Sequence, residues 1–245
     1  MEPNYYVDTM VVQNADADFR SLLKPSALLR YVEQVSAVHA RLFGMDDQFF
    51  VDHGVAFLVG KQALRFTRTP LRGEKITLCS RSEMIRRGSI KRITTVTDEA
   101  GQELAMVDSR WIVASLTDGH ILREPGWTKE GFWNESVEGE LPMHLHKRRD
   151  GLVSAGIFTA HYSQCDLHDH INNAFYLDIA CDALPLEVMR KNTVRFASIN
   201  YHREIRMGQS VEVFRAPSDE GWYFIAKHEG KTMFECYLEL EPVKP

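Results

Sequence analysis

The chain has 245 residues, 44% hydrophobic and 26% charged, the proportions of an ordinary globular protein. Its net charge of -5 excludes a generally basic nucleic-acid binder, and no apolar run approaches the roughly 18 residues that span a bilayer. The opening Met1-Glu2-Pro3-Asn4 lacks the basic and apolar regions of a signal peptide, and Cys79, Cys165, Cys181 and Cys236 are too scattered for a disulfide framework, so a cytoplasmic protein with reduced thiols is expected.

Tyr5–Val12, rich in β-branched and aromatic residues, predicts a first strand. Leu28, Tyr31, Val32, Val35, His39 and Leu42 then fall at helical spacing, with Pro25 and Ser26 near the start and Gly44 just past the end. Strand-like runs follow at Val55–Leu58, Ala63–Arg68, Lys75–Met84, Ile90–Asp98 and Leu104–Leu116, with turns at Glu99-Ala100-Gly101 and Asp118-Gly119. From Ile121 to Asp150 the pattern weakens. Pro125, Gly126, Gly131, Gly139 and Pro142 punctuate mixed charge and isolated aromatics, which predicts an interdomain connection with short helical pieces. The order then restarts with a strand at Gly156–Tyr162 and a helix at Asn172–Ala183 that Pro185 ends. Further strands are expected at Val194–Glu204, Val211–Arg215, Trp222–His228 and Met233–Leu240.

The restart reads as an internal repeat. Ala63-Leu-Arg-Phe-Thr-Arg-Thr-Pro-Leu-Arg-Gly73 aligns without a gap to Ser198-Ile-Asn-Tyr-His-Arg-Glu-Ile-Arg-Met-Gly208, pairing Phe66 with Tyr201 and Gly73 with Gly208. A helix cannot cover its own apolar face, and a curved antiparallel sheet wrapped around it solves that problem. The expected fold is α+β: two tandem hotdog repeats, each a long helix wrapped by an antiparallel β-sheet. The expected bounds are 1–120, a linker at 121–149, and 150–245.

The densest chemical signal runs from Tyr162 to Tyr176 and joins a strand end to a helix start. Asn172 or Asn173 can cap that helix, and the remaining amides and the helix dipole suit a carbonyl oxygen becoming an oxyanion. Asp166, His168 and His170 lie within a few residues, and a carboxylate can orient an imidazole and set its tautomer. On spacing alone, a solvated turn remains a reading of this segment. Cys165-x-x-His168-x-His170, even with His161, is not a standard zinc spacing, and no metal or cofactor is expected. Cys165 beside His168 could form a nucleophile–base pair, but Asp166 would oppose ionisation of the thiol.

Asp166-Leu-His-Asp-His170-Ile-Asn172-Asn173-x-x-Tyr176 resembles the Asp-x-Asn-x-His-Val-Asn-Asn-x-x-Tyr segment of the acyl-ACP thioesterase family of plants and bacteria. Ile199-Asn-Tyr201-His-Arg203-Glu204-Ile205 is similar to that family's Leu-Glu-Tyr-Arg-Arg-Glu-Cys strand. The resemblance implies hydrolysis of a fatty acyl thioester carried on acyl carrier protein, with release of the free acid. It places Asp166 and His170 at catalytic positions and Glu204 at the carboxylate assigned to water activation. His168 stands where the family has Asn, and an imidazole can still donate a hydrogen bond. Ile205 stands where a Cys often follows, which excludes a cysteine nucleophile there. Direct attack by water remains, with Glu204 suited to the base role if partly buried and a salt bridge to Arg203 or Arg206 as its alternative.

The first repeat, read from Leu23-Lys24-Pro25-Ser26, shows no Asp and His arranged like Asp166 and His170, and Arg68-Thr69 replaces Arg203-Glu204. Its expected role is to hold the acyl chain, with Val55, Phe57, Leu58, Val59 and Leu64 as tunnel candidates that also read as plain core. Arg86, Arg87, Lys91 and Arg92 lie across a predicted hairpin and are the candidate dock for the acidic carrier protein, with Lys147-Arg148-Arg149 as a second patch. The rival functions are an acyl-CoA thioesterase, a non-catalytic acyl or carrier-protein binding module, and a hotdog dehydratase. Two repeats in one chain allow a monomer, and a homodimer is equally compatible. Chain length and unsaturation preference are not legible.

Overall fold

The computed structural model describes residues 3–85, 89–123, 127, 129–143, 145, 147, 150–218 and 220–243, with the backbone alone at Ile85. It divides into two compact units. The first holds the residues up to Gln62 and Thr67–Leu141, and the second holds Ala63–Phe66 and the chain from Pro142 onward.

In the first unit the long helix α1 spans Pro25–Leu42. Pro25 sits in its first turn, where a missing amide hydrogen costs nothing and the ring fixes φ near the helical value. Leu28, Val32, Val35 and His39 bury one face of α1, each apolar side chain contributing roughly 1.5–3 kcal/mol. A short helix α2, Asp47–His53, was not read from the sequence, although its signal is present: the Asp46 carboxylate accepts the Phe49 amide at 2.9 Å as an N-cap. Five strands, β1 Tyr5–Val11, β2 Val55–Phe66, β3 Lys75–Ile85, β4 Ser89–Thr97 and β5 Glu103–Ser115, lie in the order β1-β3-β4-β5-β2, with the last four residues of β2 counted in the second unit. The β1–β3, β3–β4 and β4–β5 pairs are antiparallel, and α1 packs against β1 and β3. The two runs expected at Val55–Leu58 and Ala63–Arg68 are one strand, because a single interior glycine, Gly60, weakens a ladder without ending it.

The expected linker is shorter than its composition implied. Residues 121–141 belong to the first unit, with Phe132, Val137 and Leu141 buried in it. Periodicity cannot register this segment because its apolar side chains pack from irregular backbone.

The second unit contains β6 Val153–Thr159, helices α3 Phe175–Asp182 and α4 Leu186–Lys191, then β7 Asn192–Tyr201, β8 Ser210–Ser218, β9 Gly221–His228 and β10 Lys231–Pro242. Its strands run β7-β10-β9-β8-β6, all neighbours antiparallel, and α3 packs on β10. Pro185 is the N-cap of α4 rather than the end of α3.

Matching backbone bonds establish the repeat. The amides of Thr67 and Arg68 donate to the Leu104 carbonyl, as those of His202 and Arg203 donate to Met233. Gly73 donates to Val12 as Gly208 donates to Ala160. These two glycines have φ of 82° and 79°, a region where a side chain would be strained. Both units are therefore a helix against an antiparallel sheet, the double hotdog. Among the described residues, no helix is long and apolar enough to cross a membrane.

Candidate active site

In the second unit β6 ends at Thr159, and a single 3-10 turn, Tyr162–Gln164, leads into the loop. The Asp166 amide donates to the His170 carbonyl at 2.9 Å, and the Asp166 carboxylate accepts the His168 amide at 2.9 Å. The reversal between them uses Asp169 at φ 62°, a conformation that Asp tolerates better than most residues. The Ile171 amide then donates to the Ile205 carbonyl at 2.9 Å, which fixes the segment after β7 beside the loop.

This brings three predicted groups together. His170 Nδ1 is 3.6 Å from Asp166 Oδ1, and His170 Nε2 is 3.8 Å from Glu204 Oε1. Nδ1 is also 3.3 Å from the Ile171 carbonyl oxygen. Two acceptors around Nδ1 favour the tautomer protonated there, which leaves Nε2 as an acceptor facing Glu204. The His168 ring stacks near His170, with centroids 5.7 Å apart. The Glu204 side chain is 54% exposed. The salt-bridge alternative does not form among the described residues. Arg203 instead donates to the Thr232 carbonyl at 3.0 Å.

Asn172 and Asn173 do not cap the helix. Helix α3 begins at Phe175, and Asn172 Oδ1 accepts the Ala174 amide at 2.9 Å, an Asx turn that competes with helix extension. The Asn172 carbonyl accepts the Phe175 amide, so these two donors are already used. The Asn173 carbonyl accepts the Tyr201 hydroxyl at 3.1 Å. The sequence reading also missed Tyr176 as a positioning group. Its buried hydroxyl accepts the Ile205 amide at 3.3 Å, and burial, then the charges of Glu204 and Asp166, push its pKa up. The Cys165 thiol is likewise pushed up, by burial first and then by Asp169 and Asp166, opposite to the need of a nucleophile.

The same loop is built in the first unit. Asp18 donates its amide to the Leu22 carbonyl, Arg72 to Ser21 and Leu23 to Pro70, where the second unit has Asp166 to His170, Met207 to Asp169 and Ile171 to Ile205. Ser21 has φ 64° where Asp169 has 62°. Asp18 therefore stands at the place of Asp166, Leu22 at that of His170 and Thr69 at that of Glu204. The Asp of the pair is thus present in the first repeat, and the His is not. The acid lies before Leu23, outside the helix start. It binds Arg20 Nη2 at 2.6 Å and accepts the amides of Arg20 and Leu22.

A family model of the acyl-ACP thioesterase N-terminal domain matches residues 3–121, and one of the C-terminal domain matches residues 151–241. The chain belongs to the acyl-ACP thioesterase family. It is similar to the chloroplastic acyl-[acyl-carrier-protein] hydrolase FATB2 of Cuphea viscosissima, at 19% identity over 213 residues, covering 80% of this chain and 51% of that protein. The chain thus spans about half the length of this curated relative. Among solved structures, an acyl-ACP thioesterase from Bacteroides thetaiotaomicron is 19% identical with a TM-score of 0.87, covering 97% of this chain and 98% of that one. A 12:0-ACP thioesterase from Umbellularia californica is 14% identical with a TM-score of 0.84, covering 99% of both chains. These two likenesses establish the fold.

The first unit of this acyl-ACP thioesterase family member holds a cavity of about 200 Å³, walled by Ala37 and Ala40 of α1, Phe57 of β2, Trp111 of β5, and Phe132 and Trp133. Of the five tunnel candidates, Phe57 alone lines it. Val55, Val59 and Leu64 are core, and Leu58 is exposed.

Of the four candidate dock residues, the structure describes Lys91 and Arg92, and both are buried. Arg86 and Arg87, like Arg148 and Arg149 of the second patch, lie outside the described residues. Lys91 and Arg92 are each 6% exposed and engaged internally. Lys91 pairs with Glu83 at 2.8 Å and Glu140 at 3.1 Å. Arg92 donates to Ser80 Oγ at 3.0 Å and His39 Nδ1 at 3.2 Å, beneath the Phe132 ring. Burial lowers the Arg92 pKa to about 10, so it stays charged. Burial, then the Arg92 charge, lowers His39 to about 4, so its ring is neutral. The charge pattern hides this, because β4 is covered on both faces.

Proposed function

We propose that the chain hydrolyses the thioester between a fatty acyl group and acyl carrier protein, releasing free fatty acid. Supporting this reading is the Asp166–His170–Glu204 cluster, present in one repeat, whereas the same loop in the other repeat keeps only the acid. At 3.8 Å, Nε2 and Glu204 are too far apart for a direct bond, at a spacing suited to a shared water. Such a water donates one hydrogen to Nε2 and one to the carboxylate, which leaves a lone pair for the acyl carbon. Glu204 takes the proton as the oxygen attacks, and the tetrahedral oxyanion is met by donors from His168 and the Asn173 side chain. Collapse breaks the carbon–sulfur bond and returns the proton to the departing carrier thiolate. Asp166 holds the His170 ring through Nδ1. The first unit's cavity takes the chain.

The test offers a mixed acyl-ACP pool, and matched acyl-CoA esters, to the native protein and to Glu204→Gln. Acid released from acyl-ACP, and lost in the variant, supports the reading. Release from acyl-CoA alone would move the substrate class. Binding without release in the native protein would leave a non-catalytic module.

A further inference from the structure

Residues 129–141 form a strap across the first unit, tied down at many points. Lys129 Nζ sits 4.4 Å from the Phe49 ring centroid. The Asn134 amide donates to the Ser82 carbonyl at 2.9 Å, and its side chain donates to the Asn4 carbonyl at 2.8 Å. The Val137 amide donates to Glu83 at 2.8 Å and the Leu141 amide to the fully buried Asp108 at 3.1 Å. Lys91 bridges Glu83 and Glu140, joining β3 to the strap. At Gly139 a side chain would meet Met106 at 3.1 Å, so the strap lies hard against the sheet.

This strap is also a wall of the cavity. Phe132, with no exposed surface, is seated between His39 at 4.7 Å, Phe43 at 5.2 Å and the Arg92 guanidinium at 5.5 Å. Trp133 meets its edge at 4.6 Å and packs against both apolar clusters beside the cavity, that of Met45 and Phe49 and that of Val55, Ile90 and Val113. Apart from Met45 in the α1–α2 loop, the other walls belong to helices and strands, whose repeats constrain them. The strap has no ladder to maintain, so its side chain can change the depth of the cavity while the anchors hold.

Resting on the reading that this cavity takes the acyl chain, we propose that the strap is the gauge of chain length: Trp133 is the specificity-determining wall and Phe132 its positioning support. One methylene in an apolar pocket changes kcat/KM by roughly 10- to 200-fold, so removing an indole should shift the product profile by at least about two carbons.

The experiment gives one mixed saturated acyl-ACP pool to the native protein, Trp133→Ala, Trp133→Leu and Ala37→Phe, and quantifies the free acids by mass spectrometry. Thermal unfolding checks each fold, and Trp133→Leu keeps apolar contact if the alanine variant does not fold. The expected result is longer acids from the Trp133 variants, with leucine intermediate, and shorter acids from Ala37→Phe. A shortened profile in Ala37→Phe beside an unchanged one in the folded Trp133 variants would overturn the gauge and leave the cavity reading standing. Unchanged profiles in all folded variants would remove the cavity reading and the gauge with it.

Discussion

His170 has acceptors on one side and a carboxylate on the other, and this asymmetry sets the residue-scale predictions. If Glu204 carries the proton from water, Glu204→Gln should lower turnover by about 10²–10⁴-fold with no change in fold. Cys165→Ala should lower it by less than about threefold, because the thiol is pushed away from ionisation and no cysteine attack is invoked. Steady-state turnover of one acyl-ACP by both variants checks the pair, and an acyl group trapped on Cys165 would reject the water mechanism. Asp166 and His170 were legible as a dense polar run at a strand-to-helix junction, and Glu204 through the likeness of its strand to the family's. The sequence did not make legible the exposure of Glu204 or the hydroxyl of Tyr176, since both depend on what packs around them.

At the scale of elements, the duplicated loop separates chemistry from folding. Asp18 accepts two amides and holds Arg20, so Asp18→Ala should destabilise the protein by about 1–3 kcal/mol while turnover stays near native. Thermal unfolding alongside turnover checks this, and a loss of rate without a loss of stability would contradict it. Long periodic elements such as α1 were readable from spacing. Elements set by a local side-chain bond were not: α2 depends on the Asp46 cap, and the late start of α3 depends on the Asn172 turn. The strap was read as linker because its anchors come from β3, β4 and β5, far away in sequence.

At the scale of the molecule, acid should act on the units in sequence. His39, in the first unit, has its pKa lowered from 6.5 to about 4, so the unfolded chain binds the extra proton first. Its contribution is present above pH 6.5 and is lost as pH falls toward 4, on the order of 3 kcal/mol. In the second unit, burial would raise Glu235, but hydrogen bonds from Tyr223, Lys147 and His202 outweigh it and hold the pKa below 4.5. That contribution persists until pH falls below the ordinary carboxylate range. Hydrogen exchange between pH 7 and 4, corrected for intrinsic rates, should show α1 losing protection before β10. The His39→Gln variant should abolish the early loss.

A loop built twice with different side chains carries a warning about reading ancestry from side chains. The first unit keeps the whole turn with leucine and threonine where the second has histidine and glutamate. Exchanging the side chains of such a centre therefore needs no remodelling of the main chain. The acid left behind is retained by its mechanical duty. An acid kept for such a duty would look like a second reactive centre to any survey that counts residue types alone.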